Sequence, residues 1–178
     1  MGYAGGKKSY PTYHDLGDHT ETLQIDFDPD VITYDKLLEV FWASHSPGRE
    51  SWSTQYMAAV FYHSEEQKKT IEESRARVAE NIGGEVKTRV LPFTGFTLAE
   101  GYHQKHSLRR SKEIMEEFQA MYPTPEEFVA STAAARVNGY LAGYGACESL
   151  QEEIDELGLS AESSKLLLKS MCGSNVNF

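Results

Sequence analysis

The chain has 178 residues, 40% of them hydrophobic and 25% charged, which are the proportions of an ordinary soluble globular protein long enough to bury a core. Lys and Arg number 17 against 27 Asp and Glu, and the net charge of −10 with no basic cluster argues against nucleic acid and anionic membranes as partners. No apolar run approaches the roughly 18 residues that span a bilayer, and no secretory h-region is visible. Two cysteines, Cys147 and Cys172, are too few for a disulfide scaffold. They suit a reducing compartment, as free thiols or one redox-active pair. The cytoplasm is the expected location, with an organelle left open.

Met1-Gly2-Tyr3-Ala4-Gly5-Gly6 reads as a glycine-rich turn with no element ahead of it. Residues 20–27 alternate apolar and polar and predict a half-buried strand. Tyr34, Leu37, Leu38, Phe41 and Trp42 share one helical stripe. The apolar stretch from Gln55 to Tyr62 predicts a central strand. Ser64 starts a helix with Gln67 as its capping-box partner, and Gly83-Gly84 stops it. Val86, Thr88 and Val90 mark another strand, and Thr97 with Glu100 forms a second capping box opening a short helix.

Beyond residue 110 the pattern is helical. Ile114, Met115, Phe118 and Met121 form a stripe. Thr124-Pro125-Glu126-Glu127 opens a helix that runs towards Tyr140, and Gly143-Tyr144-Gly145 ends it. Leu150, Ile154 and Leu157 indicate a further helix, and Ser160 to Met171 a last one.

Glu21 shares its strand parity with Leu23, Ile25 and Phe27, so its carboxyl is expected on the buried face. An acid placed there tends to keep its proton near neutral pH and can donate it; the bland alternative is a strand-end carboxylate in solvent. Tyr13 and Tyr56 could offer hydroxyl donors to a substrate oxygen, or be satisfied core or rim tyrosines. Cys147 and Cys172 could exchange disulfides or be inert small side chains. His103 and His106 lack a third spaced ligand, so no metal site is expected.

Several stretches together resemble the peptide methionine sulfoxide reductases of the A type. They are Gly2-Tyr3-Ala4-Gly5-Gly6, Pro11-Thr12-Tyr13, Asp18-His19-Thr20-Glu21-Thr22, Phe27-Asp28-Pro29 and Leu37-Leu38-Glu39-Val40-Phe41-Trp42. Thr54-Gln55-Tyr56 and Ala99-Glu100-Gly101-Tyr102-His103-Gln104 complete the series. The resemblance implies thiol-dependent reduction of methionine sulfoxide in oxidised proteins, a repair reaction. A thiolate attacks the sulfoxide sulfur, a sulfenic acid forms, a second cysteine closes a disulfide, and thioredoxin or another thiol reduces it. No cofactor is implied. By resemblance, Glu21 is the general acid and Tyr13 and Tyr56 bind the oxygen. Cys147 and Cys172 lie where resolving thiols could sit.

Two departures stand out. The family's Gly-Cys-Phe-Trp-Gly segment, with its nucleophile, occurs nowhere in these residues and is expected just ahead of Met1. An acidic residue the family often carries five positions before the tyrosine of Thr-Gln-Tyr is here Ser51, with Trp52 beside it as a candidate replacement for the missing aromatic wall.

The expected fold class is α+β: a two-layer sandwich with a ferredoxin-like core lacking its first β–α unit. Residues 1–109 form that core and 110–178 an appended C-terminal helical region. The alternative function is a non-catalytic relative that binds oxidised methionine or a partner. A third reading gives Cys147 or Cys172 the nucleophile's role.

Overall fold

The computed structural model describes residues 1–173 and contains both α-helices and small β-sheets. The chain divides into two compact units, Met1–Glu100 and Gly101–Phe178.

In the first unit, strand β1 (Gly2–Ala4) is the middle of a three-stranded antiparallel sheet, between β2 (Thr20–Thr22) and β5 (Phe96–Leu98). This corrects the expected opening turn, because Gly2, Tyr3 and Ala4 are all buried. Glycine is what allows it. A Cβ at Gly2 would lie 2.3 Å from both a Phe96 ring carbon and the Thr97 carbonyl oxygen. The strand expected over residues 20–27 stops at Thr22, which pairs with Gly2, the first residue of β1, so the ladder has no further rung. Leu23 and Ile25 are accordingly 68% and 55% exposed.

Helix α1 (Tyr34–Ala43) starts where the Thr33 hydroxyl accepts the Lys36 N–H, and it buries Leu38 and Trp42. Strand β3 (Ala59–Tyr62) pairs in parallel with β4 (Arg89–Pro92), and α2 (Glu65–Ile82) makes the crossover that a parallel pair requires. Two expectations change here. Gln55 and Tyr56 lie in a turn before β3, and β3 has one ladder partner among the described residues, so it is not a central strand. The Ser64 hydroxyl caps α2 through Gln67 N–H as expected, but the Gln67 side chain accepts from His63 N–H instead of closing a capping box. Gly83 ends α2 at φ +63°.

Leu38, Trp42, Ile71 and Val86 form one buried cluster, and the Trp42 indole N–H donates to the buried Ser74 hydroxyl at 2.9 Å. Tyr3, Leu16 and Ala99 form another.

The second unit is helical: α3 (His106–Arg109), α4 (Lys112–Met121), α5 (Pro125–Ala130), α6 (Thr132–Leu141), α7 (Cys147–Glu153) and α8 (Ala161–Cys172). The helix start expected at Thr97 is overturned, since Thr97 sits in β5 and a single 3-10 turn (Gly101–His103) follows. The capping box at Thr124 forms as expected, with Pro125 in the first turn. The helix does not continue to Tyr140, because Ser131 is extended at ψ 119° and its hydroxyl caps α6 through Ala134 N–H. Leu108, Ile114, Phe118, Val137, Leu150 and Leu167 are fully buried in this unit's core. Side chains of this size each contribute about 1.5–3 kcal/mol when buried.

Candidate active site

The site is built on the loop between β1 and β2. Asp18 Oδ1 accepts the backbone N–H groups of Lys7 at 2.8 Å and Lys8 at 3.1 Å. These donors hold the Asp18 carboxyl below its usual range. Buried His19 faces Gly6 N–H with Nδ1 at 3.3 Å and the Lys8 carbonyl with Nε2 at 2.9 Å, which selects the tautomer protonated at Nε2. A Cβ at Gly6 would lie 2.5 Å from the His19 ring.

The pinned loop then presents Tyr13. Its backbone N–H donates to Glu100 Oε1 at 3.1 Å, while the hydroxyl of buried Tyr3 donates to Glu100 Oε2 at 2.6 Å. Glu100 thus ties the Tyr13 backbone to β1 rather than capping a helix. The Tyr13 and Tyr56 hydroxyls lie 3.4 Å apart. That hydrogen bond, followed by burial and the neighbouring Glu21, raises the pKa of the Tyr56 phenol above the ordinary tyrosine value.

Glu21 is half-buried. Its Oε1 accepts from the Gln55 amide at 2.8 Å, and the same amide nitrogen donates to the Tyr56 hydroxyl oxygen at 3.2 Å. Tyr13, Tyr56 and Glu21 therefore meet in one cluster joined through Gln55. Trp52 is 81% exposed, with its ring centroid 5.1 Å from that of Tyr56. Ser51 accepts the Ala58 N–H at 2.9 Å, a bond within the turn.

Glu21 and Tyr56 line a cleft of about 650 Å³ whose walls include Leu23, Ile25, Val40, Phe61 and Phe96. A largely apolar cleft with Glu21 and Tyr56 among its polar groups suits a small ligand with a polar oxygen and an apolar remainder.

Cys147 and Cys172 lie in the second unit and are bonded to each other. The sequence left open free thiols or one redox-active pair; in this structure neither is a free thiol. Among the described residues no group of three or more His, Cys, Asp or Glu side chains could hold a metal ion, and no helix is long and apolar enough to cross a membrane. Gln55 and Glu100 were not singled out as site residues in the sequence. The one available signal for Gln55 was its place beside Tyr56 in Thr54-Gln55-Tyr56.

Known proteins are similar to this chain. Residues 1–136 match the peptide methionine sulfoxide reductase family, and residues 124–168 match the helical domain of selenoprotein methionine sulfoxide reductase A. The chain belongs to the peptide methionine sulfoxide reductase family.

Among its relatives is the peptide methionine sulfoxide reductase of Drosophila melanogaster, 38% identical over 162 residues, which are 90% of this chain and 65% of that protein. The MsrA of Sulfolobus acidocaldarius is 44% identical over 112 residues, 57% of this chain and 63% of that one. The crystal structure of Mxr1 from Saccharomyces cerevisiae in reduced form superposes with a TM-score of 0.57 at 29% identity, over 62% of this chain and 68% of that one. The chain spans less than two thirds of the length of these curated relatives, 65% and 63%.

Proposed function

We propose that the chain works in the thiol-dependent reduction of methionine S-sulfoxide in oxidised proteins, as a peptide-methionine (S)-S-oxide reductase. The observation that carries this is the meeting of the Tyr13 and Tyr56 hydroxyls with the Glu21 carboxyl, joined through Gln55, beside the apolar cleft.

In this function the tyrosine hydroxyls donate hydrogen bonds to the sulfoxide oxygen, and Glu21 in its acid form supplies a proton. The cleft receives the methionine side chain, and Trp52, whose ring lies beside that of Tyr56, is proposed to close over it from outside the cleft's lining. A thiolate attacks the sulfoxide sulfur, the S–O bond breaks, and the oxygen leaves on the attacking sulfur as a sulfenic acid. A second thiol displaces that oxygen as water and closes a disulfide. Per turnover, one sulfoxide and two thiols become one sulfide, one disulfide and one water.

Cys147 and Cys172 are proposed as the thiol–disulfide pair of the resolving step, reduced by thioredoxin or another dithiol, in the cytoplasm. The attacking thiolate belongs to the Gly-Cys-Phe-Trp-Gly segment of the family, which these residues do not include. For the fold, our reading stays a two-layer α+β plan; β3 and β4 pair directly across their helical crossover, whereas a ferredoxin-like sheet sets another strand between the parallel strands of such a unit. The functional division is proposed as residues 1–109 for the reductase core and 110–178 for the helical extension.

The test is a methionine-S-sulfoxide peptide with dithiothreitol, incubated with the wild-type chain and with the Glu21→Gln, Cys147→Ser and Cys172→Ser variants. Turnover that falls about 100-fold or more in Glu21→Gln supports the acid role. Turnover abolished by one cysteine substitution identifies that sulfur as essential. Binding without turnover fits a sulfoxide site whose attacking thiolate lies outside these residues, and turnover by the chain as it stands assigns that thiolate to Cys147 or Cys172. Neither binding nor turnover sinks the proposal.

A further inference from the structure

Gln55 contacts Glu21 at two places. Its backbone carbonyl accepts the Glu21 N–H at 2.9 Å and the Thr20 hydroxyl at 3.0 Å. Its side-chain nitrogen donates to Glu21 Oε1 at 2.8 Å and to the Tyr56 hydroxyl oxygen at 3.2 Å. We propose that Gln55 is a positioning residue that sets the direction in which Glu21 and Tyr56 present their protons to the sulfoxide oxygen, a role that rests on the function proposed above.

An amide nitrogen has two hydrogens to give and accepts none. Glu21 Oε1 is therefore occupied as an acceptor. The acid proton of Glu21 is left to Oε2, the oxygen that Gln55 does not hold. The same logic applies to Tyr56. With one oxygen lone pair taken by the amide, its own hydrogen points elsewhere, to the Tyr13 hydroxyl 3.4 Å away or to a bound oxygen. One side chain thus orients both donors, and its backbone fixes the strand residue that carries the acid.

The residue is suited to this by its place. It lies in the turn closed by Met57 N–H to the Thr54 carbonyl at 3.2 Å, so its backbone carbonyl reaches β2 while its side chain reaches over the carboxyl. A substitution at Gln55 leaves the backbone bonds to Thr20 and Glu21 available, which separates orientation from folding. A donor to a phenol oxygen also favours the phenolate, so removing it raises the Tyr56 pKa further. That sign distinguishes orientation through Gln55 from the opposite influence of Tyr13.

The experiment compares wild type, Gln55→Leu and the isosteric Gln55→Glu. Two readouts are taken: affinity for N-acetyl-methionine-S-sulfoxide by NMR titration, and the titration of Tyr56 followed by ¹³Cζ tyrosine labelling. Gln55→Leu is expected to weaken binding up to about tenfold, the worth of one or two net hydrogen bonds, and to move the Tyr56 titration to higher pH. Gln55→Glu, which keeps the shape and replaces the donor, is expected to weaken binding as well. If both variants bind like wild type and Tyr56 titrates unchanged, the positioning role is overturned while the proposed function stands. If wild type itself binds no sulfoxide, the proposed function fails and takes this role with it.

Discussion

Two phenol oxygens 3.4 Å apart can share only one hydrogen between them, and that constrains Tyr13 and Tyr56 together. Removing the Tyr13 hydroxyl takes away the largest cause of the raised Tyr56 pKa. Tyr13→Phe is therefore expected to bring the Tyr56 titration down towards its ordinary value of 10.0, measured by ¹³C NMR on labelled tyrosine. A titration that stays where it was would remove the Tyr13 bond as its cause. At this scale, the sequence named Glu21, Tyr13 and Tyr56 because each sits in a recognisable motif. Gln55 and Glu100 sit in such motifs too, but their roles are bonds across 34 and 87 residues of chain, and a motif does not report which distant group its members hold.

Elements were legible to the extent that their causes are local. The Thr124 capping box, the helix start at Ser64 and the αL glycine after α2 each depend on residues within one turn, and each formed where the sequence placed it. Strand ends were misread for the opposite reason. β2 stops where its partner stops, and no pattern within residues 20–27 reports the length of β1. The break at Ser131 is intermediate, because a serine inside an apolar helical pattern can face solvent or cap a new helix. The disulfide is a further element-level device, closing the chain from the first residue of α7 to the last of α8, 25 residues apart. A closed loop of that size stabilises the folded state by about 3 kcal/mol through the chain entropy it removes. Cys147→Ser is expected to lower the stability of the helical unit by about that amount in urea unfolding followed by helical circular dichroism. Reduction of the wild type should do the same, and an unchanged midpoint in both cases would count against the bond as a stabiliser.

Across the whole molecule, the response to alkali should depend on one residue of the helical core. Tyr140 is buried and donates to Glu153 at 2.6 Å, with Arg136 paired to the same carboxylate. Burial first, then the bond to Glu153, pushes its pKa up to about 12. The folded value exceeds the unfolded one, so the native state holds the proton more tightly. The associated stability is fully present below about pH 10 and is lost as pH rises from there through about 12. Tyr140→Phe should flatten that alkaline loss in unfolding measured at pH 9, 10 and 11, and an identical slope would exclude Tyr140 as its source. The bond between Cys147 and Cys172 also has a meaning in electrons. They are the only two cysteines in the chain, and both are oxidised in this structure. A bonded pair cannot resolve a sulfenic acid, so in the proposed function a dithiol must first return two electrons and two protons to Cys147 and Cys172 before they take part.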